Sequence, residues 1–230
     1  MSELLRLTDV TRTVKLPDDS DLHILTGVDL TISNGDHVGI VGRSGTGKST
    51  LLNLLGLLDR PTTGVLEWAG QDVRALSARA AARIRGRDVG FVFQQFNLLP
   101  GRTALENVAA PLMYAPGPQF WRRRTIAAEM LDRMGLGARL DSMPESLSGG
   151  EQQRVAIARA LVRGPKVVLA DEPTGALDLE TGGEVMELLD GVTHDTGAAL
   201  ITITHDVNVA AMARQRFRLE GGRLQAGVSV

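Results

Sequence analysis

The chain has 230 residues, 43% of them hydrophobic and 23% charged, with a formal net charge of −2. These values predict a globular domain with a sizeable core and give no reason to expect a nucleic-acid partner. The absence of cysteine excludes a disulfide framework and a thiolate metal site, as suits a reducing cytoplasm. The first six residues are too short and too acidic for a signal peptide. No apolar run approaches the roughly 18 residues that span a bilayer, so we expect any membrane role to come through a partner.

The predicted elements alternate strands with helices along most of the chain. Strands are predicted, in chain order, at 4–10, 23–32, 37–42, 65–68, 88–93, 166–170 and 199–204, with two more near the C-terminus. Helices are predicted at 48–59, at about 178–193, and shortly after 204. This alternation indicates an α/β fold with a mostly parallel sheet and crossover helices.

The middle of the chain differs from this alternation, because residues 97–163 lack strand signals and have a helical pattern. We interpret this stretch as an insertion into the sheet. The prediction is therefore one domain over 1–230. Within it, residues 1–94 and 164–230 form a catalytic core with a β subdomain, and residues 95–163 form a helical subdomain.

A glycine-rich loop follows the buried strand at 37–42. The P-loop pattern G-x-x-x-x-G-K-[ST] is matched by Gly42, Arg43, Ser44, Gly45, Thr46, Gly47, Lys48 and Ser49, and Thr50 follows the pattern. Glycines let backbone N–H groups wrap a phosphate chain, and the helix that begins near Lys48 adds its positive N-terminal end. We predict that Lys48 neutralises the β- and γ-phosphates of ATP and that the Ser49 hydroxyl ligates Mg²⁺.

Two carboxylates follow the apolar strand at 166–170. Asp171 and Glu172 lie at its carboxyl end, where open α/β sheets bind their ligands. We predict that Asp171 holds Mg²⁺ through water and that Glu172 polarises the attacking water. Alone, the pair fits equally well as acidic residues that enter a turn before Pro173, and the P-loop upstream favours the catalytic interpretation.

A second glycine pair opens the long helix predicted after residue 147. Ser148 and Glu151 have the spacing of a capping box, which is a structural reason for this serine. A cap does not need Gly149 and Gly150, and glycines weaken a first helical turn. The segment therefore indicates a second anion site at a helix N-terminus. A chain with two such sites can sandwich a nucleotide between two copies.

With these motifs in this order, the chain resembles the ATP-binding cassette (ABC) ATPases over essentially its whole length. Ser148, Gly149 and Gly150 resemble the signature motif of that family. Gln94 resembles its Q-loop glutamine, Asp178 its D-loop aspartate and His205 its switch histidine. The resemblance implies a P-loop NTPase with a mostly parallel core sheet, an antiparallel β subdomain and an inserted α-helical subdomain.

The resemblance also implies an ATPase whose cofactors are ATP and Mg²⁺. The implied catalytic residues are Lys48, Gln94, Glu172 and His205. The implied metal ligands are Ser49, Gln94 and Asp171. Two copies are implied to close around two ATP molecules, through an interface that includes Ser148, Gly150 and Asp178.

One position departs from the family pattern. The family stacks adenine on an aromatic residue shortly before the second strand, and that place holds Val14 here. We predict that Val14 contacts the base with modest affinity, while Arg12 or Lys15 could cover the base by a cation–π contact.

Within the family, the segments 94–100, 103–108 and 171–178 resemble the branch of lipoprotein-releasing, macrolide-exporting and cell-division ATPases. This implies an integral membrane permease as partner and a homodimer in the ATP-bound state. It also implies a place at the cytoplasmic face of the membrane, and no nucleic-acid partner is expected. The alternatives are mechanical signalling at the membrane and a soluble ABC ATPase. The cluster Arg122–Arg124 is interpreted as a solvated loop and helix start, with contact to the permease or to anionic lipid as the alternative.

Overall fold

A computed structural model describes residues 3–227 of the chain, so the start of the N-terminal segment considered as a signal peptide lies outside the described residues. The strands are β1 (Glu3–Lys15), β2 (Asp21–Ser33), β3 (His37–Val41), β4 (Thr63–Trp68), β5 (Gln71–Asp72), β6 (Val89–Phe93), β7 (Val167–Asp171), β8 (Ala199–Thr204), β9 (Gln215–Glu220) and β10 (Arg223–Ala226). The α-helices are α1 (Lys48–Leu55), α2 (Ala78–Asp88), α3 (Ala104–Ala109), α4 (Pro118–Trp121), α5 (Arg123–Arg133), α6 (Gly149–Leu161), α7 (Leu179–Thr196) and α8 (Val207–Ala211). Short 3₁₀ helices cover Val73–Ala75, Ala110–Tyr114, Gly137–Arg139 and Pro144–Ser146. Among the described helices, none combines the length and apolar character of a membrane span.

The chain forms two compact units. The first unit contains the chain up to Arg85 and again from Ala199 onward, and the second unit is Gly86–Ala198. The subdivision into a core at 1–94 and 164–230 and a helical subdomain at 95–163 stays a prediction.

The first unit contains two groups of strands. In one, β1 pairs antiparallel with β2 and β4, and β5 extends the sheet beside β4. In the other, β3 pairs in parallel with both β8 and β9, and β10 returns antiparallel along β9. All five residues of β3 are buried, as expected for a strand of a parallel sheet that is covered on both faces. This burial fixes the position of the loop that follows β3.

The second unit combines a parallel strand pair with packed helices. Strand β6 runs beside β7, with Val89 opposite Val167 and Phe93 opposite Asp171. Helices α3 and α5 pack on α6, and α6 packs on β6. Helix α6 approaches the strands closely at Gly90, where an added Cβ would lie 2.6 Å from the carbonyl oxygen of Ala160. A side chain at Gly90 would therefore push α6 away from the sheet.

The structure confirms the positions of the predicted strands to within a few residues at most ends, although β1 and β2 are longer than predicted. The helix predicted at 48–59 ends at Leu55, and Leu57 then adopts a φ of 56°, which a continuing right-handed helix cannot accommodate. Helix α2 was not predicted, because alanine and arginine make up most of its sequence and Ile84 is its one large apolar residue, too few for a recognisable apolar stripe.

Candidate functional site

The loop that is predicted to bind phosphate connects β3 to α1 in the first unit. Gly47, directly before the first residue of α1, has a φ of 99°. This conformation is unfavourable for any residue that carries a side chain. A Cβ at Gly47 would also lie 3.1 Å from atoms of Ile24 and Leu25 on β2. Glycine is therefore needed here both to turn the chain into α1 and to let the loop lie against β2.

Lys48 lies over the loop that precedes it. Its Nζ donates hydrogen bonds to the carbonyl oxygens of Gly42 at 2.7 Å and Arg43 at 3.1 Å. The Thr46 hydroxyl donates to the same Arg43 oxygen at 2.9 Å and braces the loop. Because charged phosphate oxygens are stronger acceptors than carbonyl oxygens, a bound phosphate can take over these lysine bonds. Ser49 follows in the first turn of α1 and is exposed.

His205 lies beside this loop. It follows β8, which is paired in parallel with β3, so both strands bring their carboxyl ends to one edge. A cavity of 220 Å³ is lined by His205 together with Gly42, Arg43 and Thr46 of the loop. The structure therefore brings together the predicted switch histidine and the predicted phosphate loop within the first unit.

The predicted base contact is an exposed aliphatic pair. Val14 on β1 lies opposite Leu22 on β2, and both side chains are exposed. Strand β2 reaches Gly47 of the phosphate loop at Ile24, two residues beyond Leu22 and about 7 Å along the strand. Leu22 was not predicted from the sequence, because only the strand register shows that it shares a face with Val14.

Arg12 is held away from a role as a cation over the base. Its Nε donates to Asp59 Oδ2 at 2.7 Å, and its Nη1 donates to the carbonyl oxygen of Thr13 at 2.9 Å. Of the two cations considered above, the structure leaves Lys15 as the candidate for a cation–π contact.

We expect Val14→Tyr to bind ATP more tightly than the parent, by a few-fold or more. Stacking of a base on an aromatic ring contributes roughly 1–3 kcal/mol in nucleic-acid complexes, and an aliphatic pair lacks this interaction. We also expect the parent to bind ATP weakly and to discriminate poorly against GTP. Dissociation constants for both nucleotides, measured on both proteins, test this. Unchanged ATP affinity in the variant would place the base elsewhere.

The second unit carries the predicted metal and water-activating residues at the ends of β6 and β7. Phe93 and Asp171 are opposite each other in the register, so Gln94 and Glu172 leave adjacent strands side by side. The Gln94 side chain contacts the turn after Glu172, since a Cβ on Gly175 would lie 2.9 Å from Gln94 Nε2. The structure therefore brings Gln94, Asp171 and Glu172 together.

Glu172 has a strained backbone. Its φ is 48°, in the left-handed region, and such residues cost on the order of 1–3 kcal/mol unless their surroundings hold them. The turn that holds it is closed by a 3.0 Å hydrogen bond from the amide of Gly175 to the carbonyl oxygen of Glu172. Strain of this kind is often found at functional sites.

Gln153 on α6 is hydrogen-bonded to the backbone near the ends of both β6 and β7. Its side chain is fully buried, and Nε2 donates to the carbonyl oxygen of Pro173 at 2.5 Å and, more weakly, toward that of Phe93 at 3.5 Å. Its Oε1 has no hydrogen-bond partner in the described structure. Sequence reasoning missed Gln153, because nothing in the sequence distinguishes it from its neighbour Gln152 until the orientation of α6 is known.

The second predicted anion site lies at the N-terminus of α6. Ser148 Oγ accepts from the amide of Glu151 at 3.2 Å, and Glu151 Oε2 accepts from the amide of Ser148 at 2.8 Å. The bond from the Ser148 amide lowers the pKa of Glu151, with help from Arg139. The capping box uses the serine oxygen only as an acceptor, so the exposed hydroxyl retains its proton for donation to an anion. The structural and the ligand-binding interpretations of Ser148 are therefore compatible.

The glycines of this segment also have a packing role. A Cβ at Gly150 would lie 2.5 Å from Thr181 Cγ2, and one at Gly149 would lie 3.3 Å from Leu177. Asp178 caps α7 by accepting from the amide and hydroxyl of Thr181 at 3.0 and 2.8 Å, and these bonds lower the pKa of Asp178. The beginnings of α6 and α7 are therefore neighbours, with Ser148 and Asp178 both exposed.

These features, a phosphate loop before α1 and paired carboxylates after a parallel strand, define a P-loop nucleoside triphosphatase. The model that describes the ABC transporter family matches residues 25–175. The chain is 47% identical to the macrolide export ATP-binding/permease protein MacB of Syntrophobacter fumaroxidans, over 97% of this chain and 31% of that protein. It is 46% identical to the lipoprotein-releasing system ATP-binding protein LolD of Geobacter metallireducens, over 98% of this chain and 100% of that protein.

The fold is similar to that of a solved ABC cassette. A dimeric structure of a post-hydrolysis state, bound to ADP and Pi, has a TM-score of 0.87 and 41% identity, over 97% of this chain and 98% of that one. The chain belongs to the ABC transporter family. The predicted P-loop NTPase fold and the predicted ATP-binding and ATPase activity are confirmed. The chain spans about a third of the length of the macrolide- and pyoverdine-export relatives that it matches.

Proposed function

We propose that two copies of this chain close around two ATP molecules and drive an integral membrane permease from the cytoplasmic face of the membrane. The observation that carries the proposal is the presence of two separate helix N-termini suited to phosphate, one in each unit. These are α1, behind the loop that holds Lys48, and α6, which presents the exposed hydroxyl of Ser148. A single chain uses one of them on its own nucleotide and offers the other to a second copy.

Within this proposal, the residues of one copy hold the triphosphate and those of the other complete the site. Lys48 and the loop amides bind the β- and γ-phosphates, and Ser148 and Gly150 of the second copy donate to the γ-phosphate. Glu172 orients and polarises the attacking water, and His205 stabilises the charge that develops on the γ-phosphate. An isologous two-fold dimer follows, with Asp178 in its interface.

The donor chemistry of three predicted ligands fits Mg²⁺. Ser49 offers a hydroxyl oxygen, Gln94 an amide oxygen and Asp171 a carboxylate, and Mg²⁺ binds oxygen ligands together with water and nucleotide phosphates. When bound, the ion neutralises phosphate charge in the transition state. The role of the chain is to present these oxygens and to keep Gln94 packed against the turn after Glu172.

The permease partner is supported by two kinds of relative. The LolD relative is named as the ATP-binding protein of a lipoprotein-releasing system and has the length of this chain. The MacB relative is named as an ATP-binding/permease protein and is about three times as long. We therefore propose that this cassette acts either beside a separate permease or as the ATP-binding part of a longer permease chain. In this proposal, that permease provides the main attachment of the described residues to the membrane.

Purification from detergent-solubilised membranes tests the partner. A tag on this chain is expected to retain an integral membrane protein in a fixed ratio. The presence of that partner is expected to change the ATPase turnover measured with ATP and Mg²⁺. The Lys48→Ala variant with the same tag is the control, since this variant is expected to retain the partner without turnover. Recovery of the active chain without any membrane protein would contradict the proposal.

A further inference from the structure

An exposed group of aromatic and basic side chains lies in the second unit and includes none of the residues assigned to ATP. Tyr114 ends a 3₁₀ helix and is 86% exposed, and Trp121 ends α4 and is 79% exposed. Arg122 and Arg124 follow directly, at the beginning of α5, and both are exposed. We call Tyr114, Trp121, Arg122 and Arg124 the aromatic–basic edge.

The elements that carry this edge are packed together. Helix α4 packs against the 3₁₀ helix Ala110–Tyr114 and against α5. Phe120 lies edge-on to Trp121, with ring centroids 5.0 Å apart. Arg123 lies over the Phe120 ring at 4.8 Å and donates to the carbonyl oxygen of Phe120 at 2.9 Å. Phe120 and Arg123 contact each other and are half-buried, whereas Trp121, Arg122 and Arg124 are exposed.

The charge of this part of the chain is opposite to that of the whole. Residues 97–128 contain four arginines and one glutamate, a net charge of +3, whereas the whole chain carries −2. The glutamate, Glu106, is already occupied: it accepts from the amide of Thr103 at 3.0 Å and lies 3.6 Å from Arg102. Within the described residues, neither Arg122 nor Arg124 forms an ion pair with a carboxylate. The edge is therefore a local excess of positive charge.

Exposed tryptophan and tyrosine next to arginine is a combination suited to the bilayer surface. Amphipathic aromatic rings prefer the level of the lipid headgroups. Arginines near the cytoplasmic leaflet are attracted by its anionic lipids. Most of the Trp121 side chain stays exposed to water in the isolated chain despite its edge contact with Phe120, so its burial among headgroups is a favourable change.

We propose that the aromatic–basic edge contacts anionic lipid headgroups directly, as a second membrane contact beside the permease. The contact is shallow, because α4 has only four residues and cannot form an amphipathic helix that lies in the interface. It is also weak and reversible, since two aromatic rings and a few arginines provide less binding than a lipid anchor does. Such a contact orients the second unit toward the bilayer without holding the chain there permanently.

Tryptophan fluorescence tests the proposal on the isolated chain. The chain has two tryptophans, and Trp68 is only 4% exposed, so Trp68→Phe leaves Trp121 as the single reporter. We expect vesicles of phosphatidylcholine with phosphatidylglycerol to shift Trp121 emission to shorter wavelength, and brominated lipid to quench it. Pure phosphatidylcholine vesicles are expected to have little effect, and 1 M salt is expected to reverse the shift, since screening is then strong. If Trp68→Phe does not fold, the difference between the parent and Trp121→Phe supplies the same signal.

Two double charge variants distinguish binding through the aromatic–basic edge from attraction by overall positive charge. The double variant Arg122→Gln, Arg124→Gln is expected to lower vesicle partitioning by roughly fivefold for each arginine. The control is Arg79→Gln, Arg83→Gln on α2, two exposed arginines without an exposed aromatic neighbour, which changes the net charge equally and is expected to change partitioning less than twofold. Both double variants are expected to retain ATPase turnover, so the proposed ATP-driven function is tested separately.

Three results would overturn the lipid contact. The first is an unshifted Trp121 spectrum with anionic vesicles. The second is an equal loss of partitioning in the α2 control, which would show attraction by overall charge alone. The third is a Trp121 shift that requires the purified permease in detergent and is absent with vesicles, which would assign the edge to a protein partner.

Discussion

The Glu172→Gln variant is expected to bind ATP and to hydrolyse it roughly a hundredfold to ten-thousandfold more slowly than the parent, the usual contribution of a general base. An amide of the same size keeps the turn around Glu172, whose strained backbone is closed by Gly175. It removes the carboxylate that is proposed to polarise the attacking water. Because reopening depends on hydrolysis, the variant is also expected to accumulate as an ATP-bound dimer.

Size-exclusion chromatography with ATP and Mg²⁺, together with a phosphate-release assay, measures both effects. The same sample with EDTA is expected to elute as a monomer, because the bound nucleotide then lacks its metal. Glu187→Gln, which changes an exposed carboxylate on α7, is the matched control and is expected to behave as the parent. A Glu172→Gln protein that stays monomeric with near-normal turnover would refute the assignment of Glu172.

Mixing two inactive variants tests whether the site is shared. Lys48→Ala removes the lysine that is proposed to bind the phosphates, and Ser148→Arg places a bulky cation at the exposed start of α6. Each variant alone is expected to lose nearly all turnover. In a heterodimer, the intact loop of one chain faces the intact Ser148 of the other, so mixing is expected to restore at most one site of two. If each purified variant hydrolyses ATP like the parent, the two copies do not share their sites.

The Ser148→Arg variant also breaks a helix cap, which costs about 0.5–2 kcal/mol of stability. The chain offers a matched control for this effect. Thr103 and Glu106 form the same kind of capping box at the start of α3, where no nucleotide contact is proposed. Thr103→Arg is expected to lower the free energy of unfolding by a similar amount and to retain ATPase turnover. Loss of turnover in both variants would mean that Ser148→Arg acts through folding.

The sequence predicted the phosphate loop and the carboxylate pair because each is a local pattern next to a buried strand. Gly42 to Thr50 follow β3 directly, and Asp171 and Glu172 lie where β7 ends. Their chemistry depends on backbone turns that glycine and strand ends produce within a few residues. His205 and Gln94 were also predicted, but only through their resemblance to family residues, since a single histidine or glutamine carries little information.

The residues that sequence reasoning missed depend on tertiary register. Leu22 joins Val14 only because β1 and β2 pair in one particular alignment. Gln153 is buried while Gln152 is not, because α6 turns one of these two adjacent side chains toward the strands. The structural role of Gly150 appears only when α7 is placed beside α6. In each case the missing information is a contact between residues distant in sequence or the rotation of a helix.

The parallel pairing of β6 with β7 has a consequence for folding. Residues 94–166, which carry all of α3, α5 and α6, form a loop whose two ends meet at these neighbouring strands. Closing a long loop costs chain entropy before any strand contact compensates for it. Helices that form from local contacts shorten the loop beforehand, so we expect α3, α5 and α6 to become ordered before β6 and β7 join. Gln94 and Glu172 are then set side by side only in the last step, so we expect the proposed catalytic pair to be assembled late in folding.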